Sequence, residues 1–193
     1  MALTPSTMLS LGTVAPDFNL DNAVDGQRVR LADVLPNPLL VMFICNHCPY
    51  VVHIREGLGA LMAEYQARGL QVVAINSNSE QTHPQDGPSH MRALALEKGW
   101  RFPFLFDKTQ EVAKAYQAAC TPDFFLFDKE RRLVYRGQFD DSRPGRPDVP
   151  VTGKDLRAAL EDALAGRKPA EDQKPSIGCN IKWHPGNAPP WFG

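Results

Sequence analysis

The strongest hydrophobic signal in the chain is the run Leu39-Leu-Val-Met-Phe-Ile44, which is continuous and shows no polar alternation. Such a run fits a strand buried on both faces, as in a parallel sheet. After it, Ile54, Leu58, Leu61, Met62 and Tyr65 recur at helical spacing. They predict an amphipathic helix with Cys48 at its N-cap, Pro49 at its first position and Gly69 as its stop. Leu70–Ile75 predicts a second buried strand, and Asn76–Pro88 a polar loop. A helix over 87–98 carries Met91, Leu94 and Leu96. Phe102–Phe106 is a short apolar segment, and Asp107 with Gln110 forms a capping-box pattern for a helix bearing Val112, Tyr116 and Ala119 on one face. Phe124–Phe127 and Leu133–Tyr135 flank a turn at Asp128–Arg131 and predict antiparallel strands. Thr152 with Asp155 marks the start of a last helix, with Leu156, Ala159, Leu160 and Leu164 inward and Gly166 as its stop. Upstream, Phe18–Leu20 and Val29–Leu31 flank the turn-rich Asp21–Gln27 and predict a hairpin.

The ends read differently. Residues 1–10 form a small polar arm. Residues 167–193 hold Pro169, Pro175, Pro185, Pro189 and Pro190 without periodicity, which predicts an extended tail. That tail still carries Cys179, Trp183, Trp191 and Phe192, enough apolar anchors to pack on the domain or on a partner subunit, so a homodimer is open. Between them, 11–166 is the expected domain. Its alternation of β and α segments predicts an α/β fold, a central mixed sheet flanked by helices, preceded by the hairpin.

Composition narrows the function. With 193 residues, 43% apolar and 22% charged, the chain suits one globular domain with trimmings. Lys and Arg number 21 against 22 Asp and Glu, a net of -1. This excludes the basic field of a sequence-independent nucleic-acid binder and a polybasic route to a membrane. No apolar run approaches the ~20 residues of a membrane span. Met1–Thr13 has no cationic start and no apolar stretch, so no secretory signal is read and the cytoplasm is the expected location. Four Cys are too few for a disulfide scaffold and point to chemistry or metal binding.

The informative stretch is Phe43-Ile-Cys-Asn-His-Cys-Pro-Tyr-Val51, where the buried strand turns into the long helix. A helix N-terminus offers free N–H donors and about half a positive charge. A thiolate placed there is stabilised, its pKa falling from ~8.5 into the range ~3.5–7.5. Cys48 is therefore the expected nucleophile, with His47 beside it as a source of positive charge when protonated. Cys45 is the first candidate resolving thiol, since its spacing permits a bridge if the Cα atoms approach within ~7 Å. A structural zinc site needs four ligands, and no second Cys-x-x-Cys or His-x-x-x-His follows; no metal and no cofactor are expected. His83 and His90 read as solvated, His53 faces either way, Asp140-Asp141 reads as turn chemistry, and Asn76–Ser79 lies where a strand end lines a cleft. Gly-rich phosphate loops, Ser nucleophile elbows and nicotinamide fingerprints are missing from the sequence.

These residues give the chain a family likeness. Gly12-x-x-Ala15-Pro16-Asp17-Phe18-x-Leu20, the strand-to-helix Cys region and Thr121-Pro122-Asp123 before Phe124–Phe127 together resemble the thioredoxin-like superfamily, in its peroxiredoxin-like branch, the alkyl hydroperoxide reductase/thiol-specific antioxidant group. The resemblance implies a three-layer thioredoxin-like fold and a site in which Pro122 is a cis-proline facing Cys48, preceded by Thr121. It makes Cys120 the second candidate resolving thiol and Cys179, on a C-terminal arm, the third. Cys48-Pro49 is similar to the peroxidatic Cys-Pro of that branch, but Cys45 and Val41 stand where its Thr or Ser and its Pro would lie. A second thiol thus replaces the hydroxyl that orients peroxide. The expected function is a thiol–disulfide oxidoreductase acting on a protein or small-molecule disulfide and regenerated by a cellular thiol reductant. The alternative is a thiol peroxidase, and a lesser one a metal-binding or interaction protein on the same fold.

Overall fold

The protein, seen in a computed structural model, is described over residues 3–192; residues 1, 2 and 193, the outer ends of the expected arm and tail, lie outside the described residues. The long apolar run forms β4 (Leu39–Phe43), every residue of which is buried. It is buried because it has a strand on each side: β5 (Gln71–Asn76) runs parallel to it and β8 (Asp123–Phe127) antiparallel. Outward from β5 come β6 (Phe104–Phe106), then β2 (Asn19–Asn22) and β3 (Arg28–Arg30); outward from β8 comes β9 (Leu133–Arg136). The sheet is mixed and reads β3-β2-β6-β5-β4-β8-β9.

Alternation along β4 divides the core into two layers. Leu40 and Met42 pack with the buried stripe of α1 (Pro49–Gln66), with Met91, Leu94 and Ala95 of α2 (Pro88–Glu97) and with Leu156, Ala159 and Leu160 of α4 (Lys154–Leu164). Leu39, Val41 and Phe43 face the other way, onto α3 (Glu111–Ala115) and Tyr116, Phe125, Phe127 and Trp183. This is the expected three-layer arrangement. No helix is long and apolar enough to cross a membrane among the described residues.

Several local expectations are corrected. Leu96 is 56% exposed, because Met91, Leu94 and Ala95 already occupy one helical face and Leu96 lies a further 100° round. Asp107 caps α3 by accepting the amides of Val112 and Ala113, but Gln110 does not complete a capping box. It adopts φ 65° and turns its side-chain amide to Ser77 O and Lys182 O. α3 ends at Ala115, so Ala119 lies beyond it. α4 starts after Gly153 at φ 65°, and Asp140 rather than Thr152 does most of the capping, accepting the amides of Thr152 and Gly153. Leu164 is only half-buried, with Ala163 inward instead.

The largest departure concerns the two ends. Arm and tail were expected to lack regular structure, yet β1 (Leu3–Pro5) and β10 (Ile177–Asn180) pair antiparallel, and β10 pairs in turn with β7 (Cys120–Thr121). They make a second sheet, β1-β10-β7. No periodicity marks β10, because its form is set by its partners. Gly178 lies so close to β7 that a Cβ would stand 2.0 Å from Thr121 O.

Phe125 is fully buried and meets Phe43 and Tyr116 edge-on, at centroid distances of 5.8 and 5.7 Å. Phe125→Ala is expected to lower unfolding free energy by about 3–5 kcal/mol in urea titration, the usual cost of emptying a buried aromatic site; a change under about 1 kcal/mol would show that the two layers do not depend on this contact.

Candidate active site

Cys48 is the N-cap of α1 and Pro49 its first residue, as expected. The central strand β4 delivers the chain to this point, and the loop Ile44–His47 bridges the two elements. That loop is organised by a residue of the polar segment that follows β5. Asp86 is fully buried, and its Oδ1 accepts the amides of Asn46 at 2.9 Å and His47 at 3.3 Å. Its Oδ2 accepts Asn78 Nδ2 at 2.8 Å and lies 2.5 Å from His47 Nδ1. His83, expected to be solvated, stacks on His47 at 5.2 Å between ring centroids. Nothing in the sequence distinguishes Asp86 from other loop acids; only its burial does.

The opposite wall is β7 and the Thr121–Pro122 bond, which is cis. Thr121 Oγ1 lies 3.4 Å from Cys45 Sγ, and Thr121 O accepts the Cys48 thiol at 3.1 Å. Cys179 on β10 stands directly across the ladder from Thr121 and is buried in the same cluster as Cys45 and Cys48. The site therefore brings together Cys45, Cys48, Thr121, Pro122 and Cys179, with His47 on its rim. Cys120 belongs to the same strand as Thr121, but its thiol turns to Pro122 O at 3.5 Å. Behind it Asp123 is buried, accepts the amide of Ala119, and has its carboxyl pushed up by burial to about 7. All four cysteines are free thiols.

Electrostatics separate the four. Cys48 is drawn down to about 5, first by the thiol of Cys45, then by the thiol of Cys179, the hydroxyl of Thr121 and the amide of Val51, against the cost of burial. The amide of Val51, in the first turn of α1, acts in the same direction as these side chains. Donation to Cys48 pushes Cys45 well above its ordinary range, with burial adding to it. Cys179 is pushed up to about 12, by burial and by the same sulfur. Burial also raises Cys120, together with the carboxyl of Asp123. In its thiol form Cys48 donates to Thr121 O; once ionised it gives up that bond and accepts from its neighbours. Solvent does not supply these donors, since Cys48 is 0% exposed, Cys45 1% and Cys179 5%.

A cation has a partial set of ligands here. Cys45 Sγ, His47 and Asp86 offer one atom each within 4.8 Å of one another. Three is one short of a closed structural zinc site, and Asp86 is already committed to two amides and Asn78. Asp140 serves α4 as described, and His90 is exposed.

An α/β sheet whose central strand ends in a thiol at a helix N-cap, faced by a cis-proline, defines a thioredoxin-like redox protein. The chain belongs to the AhpC/TSA family, whose family model matches residues 11–136, and it is an oxidoreductase of that superfamily. It is 25% identical to thiol-disulfide oxidoreductase ResA of Geobacillus thermodenitrificans over 130 residues, 67% of this chain and 70% of that one. It is 26% identical to "Putative peroxiredoxin bcp" of Helicobacter pylori over 132 residues, 68% of this chain and 80% of that one. Among solved structures, an uncharacterized conserved protein from Geobacillus kaustophilus superposes with a TM-score of 0.93 at 52% identity, covering 96% of this chain and 98% of the other.

The rate of Cys48 alkylation, read by mass spectrometry across pH, is expected to rise through a midpoint near 5 and stay flat above about 7, because the thiolate is the reacting form. Cys45→Ala should move the midpoint up more than Cys179→Ala does, since Cys45 is the larger donor; a midpoint in the ordinary thiol range in the parent protein would contradict the assignment.

Proposed function

We propose that the chain is a thiol–disulfide oxidoreductase with Cys48 as its nucleophile. The observation that carries this reading is the convergence of the Cys45 thiol, the Cys179 thiol and Thr121 on one sulfur at the N-cap of α1. The Cys48 thiolate attacks one sulfur of a substrate disulfide, forming a mixed disulfide and releasing the other sulfur as a thiolate, which takes up a proton. A second thiol of the chain then attacks Cys48, frees the bound half as a thiol and leaves an intramolecular disulfide, which a cellular dithiol reduces. Cys45 suits the second step. Its proton is held first by the hydrogen bond to Cys48, which is lost once Cys48 is in a mixed disulfide, and then by burial and the Asp86 carboxylate, which remain. Cys179 lies in the same buried cluster, on β10, whereas Cys120 is turned toward Pro122 O. A protein disulfide fits the ResA likeness.

One observation favours a second reading, a thiol peroxidase. Cys48 is fully covered, and the hollow beside Pro122, lined by Tyr50, His53 and Ile177, measures about 20 Å³, room for roughly one water. A hydroperoxide reaches such a sulfur more readily than a folded protein does. Oxidation would give a Cys48 sulfenic acid and an alcohol, and condensation with Cys45 or Cys179 would then give a disulfide and water.

Cys48→Ser is expected to lower insulin-disulfide reduction by at least about 1,000-fold, as loss of a nucleophile does, while Cys120→Ser keeps most of the activity. Equal activity in parent and Cys48→Ser would overturn the assignment. Stopped-flow reaction with hydrogen peroxide decides between the readings: a rate no greater than that of a free thiol removes the peroxidase.

A further inference from the structure

Asp86 is a fully buried carboxylate short of positive charge. Its Oδ1 is taken up by the amides of Asn46 and His47, and its Oδ2 accepts the side-chain amide of Asn78. A carboxylate offers about four acceptor positions, so one remains on Oδ2, on the side of His47. Among the described residues no lysine or arginine pairs with it, and the imidazole of His47 is its basic contact. A carboxylate withdrawn from water in this way calls for a cation.

Electron-pair donors of other kinds gather at the same place. Cys45 Sγ, a nitrogen of His47 and an oxygen of Asp86 all lie within 4.8 Å of one another. The His47 ring is held by its stack on His83, with the ring planes 19° apart. Cys45 in turn hydrogen-bonds the Cys48 sulfur, which brings a second thiol to the edge of the cluster. The topology fixes this meeting. β4 and β5 run parallel and side by side, so the loop that follows one and the polar segment that follows the other leave the sheet at the same edge.

Charge and donor type select the ion. Ionising Cys45 would set its charge beside those of Cys48 and Asp86, which oppose it. A dication among the three turns that opposition into attraction. Two thiolates, an imidazole and a carboxylate are donors for borderline-soft, tetrahedral Zn²⁺, whereas Mg²⁺ and Ca²⁺ take oxygen throughout. Metal–ligand bonds of about 2.0–2.3 Å set tetrahedral ligand atoms roughly 3.3–3.8 Å apart. The cluster, at most 4.8 Å across, therefore closes by about 1 Å, and His47 Nδ1 and Asp86 Oδ2, 2.5 Å apart, separate by slightly less.

We propose that Cys45, His47, Cys48 and Asp86 form a zinc site, with Cys48 as the fourth ligand that the other three lack, and that zinc switches the protein off by occupying both sulfurs. Binding takes the proton of Cys45 and forms two sulfur–zinc bonds without oxidation, and a chelator reverses it. The switch rests on the reading of Cys48 as nucleophile; the site does not.

The probes are Zn²⁺ and Co²⁺, added to the reduced, chelator-treated full chain. Elemental analysis after gel filtration is expected to find one Zn²⁺ per chain. Co²⁺ should give a sulfur-to-cobalt charge-transfer band that is weaker in Cys45→Ser, whose site keeps a single thiolate. In competition with a chromophoric chelator, His47→Ala and Asp86→Asn are expected to weaken Zn²⁺ binding at least about tenfold, the smallest loss usual for a residue that supports a metal site. Cys120→Ser, whose thiol is turned to Pro122 O, should bind as the parent does. Asp86→Asn keeps an oxygen for the two backbone amides; should it not fold by circular dichroism, His47→Ala, at the rim, carries the comparison. Stoichiometric Zn²⁺ should abolish alkylation of Cys48 by iodoacetamide, and a chelator should restore it. No Zn²⁺ retained by the parent, or equal affinity in the parent and His47→Ala, would overturn the zinc site and leave the nucleophile standing. Undiminished alkylation in the loaded protein would overturn Cys48 as a ligand. Retained Zn²⁺ together with a metal-free protein inert toward a small aryl disulfide would overturn the nucleophile, and with it the switch, and leave the site.

Discussion

The structure turns on how a sulfur anion is kept inside a protein. Water does not reach Cys48, so its charge must be balanced by donors the fold supplies. Those donors come from three separate parts of the chain: Cys45 from the loop after β4, Thr121 from β7 and Cys179 from β10. Cys45 moves up as Cys48 moves down, first through its hydrogen bond to that sulfur and then through burial, while Cys179 moves up first through burial and then through the same sulfur. One proton is thereby lost from a cluster of thiols at neutral pH, and its position is set by geometry rather than by residue type.

The scaffold makes that geometry rigid. β4 is locked between β5 and β8, so the point where the chain leaves the sheet is fixed. α1 packs its stripe on the same layer, which fixes the N-cap. Asp86 then pins the short loop between them through two backbone amides. On the other side, Phe43 at the end of β4 pairs with Asp123 at the start of β8, so the loop that carries Cys45 and Cys48 and the cis-proline that precedes β8 lie beside each other at one end of a single ladder. The second sheet adds Cys179 across that junction.

Much of this was legible from local pattern. The apolar run Leu39–Ile44 and the stripe Ile54 to Tyr65 gave strand, helix and N-cap, because burial on one or two faces writes a period into adjacent residues. The same logic placed Cys48 and its neighbour Cys45. It failed where a side chain's partner is distant. Gln110 follows Asp107 at capping-box spacing, yet its amide is claimed by Ser77 O and Lys182 O. Asp86 looks like any loop acid until the loop folds beneath the site. β10 shows no alternation because it is a short strand in a crowded junction, shaped by Thr121 on one side and β1 on the other.

The sequence by itself determined the layered α/β architecture, the strand-to-helix turn that carries Cys48, and the four thiols from which a redox site can be made. Tertiary structure alone decided which thiols meet. Cys179 is far along the chain from Cys48 yet shares its buried cluster, while Cys120, beside Thr121, turns its thiol to Pro122 O. The physical reason is that periodicity records only what each residue faces along its own element, whereas the acidity of a buried sulfur depends on donors that different elements bring to within a few ångströms.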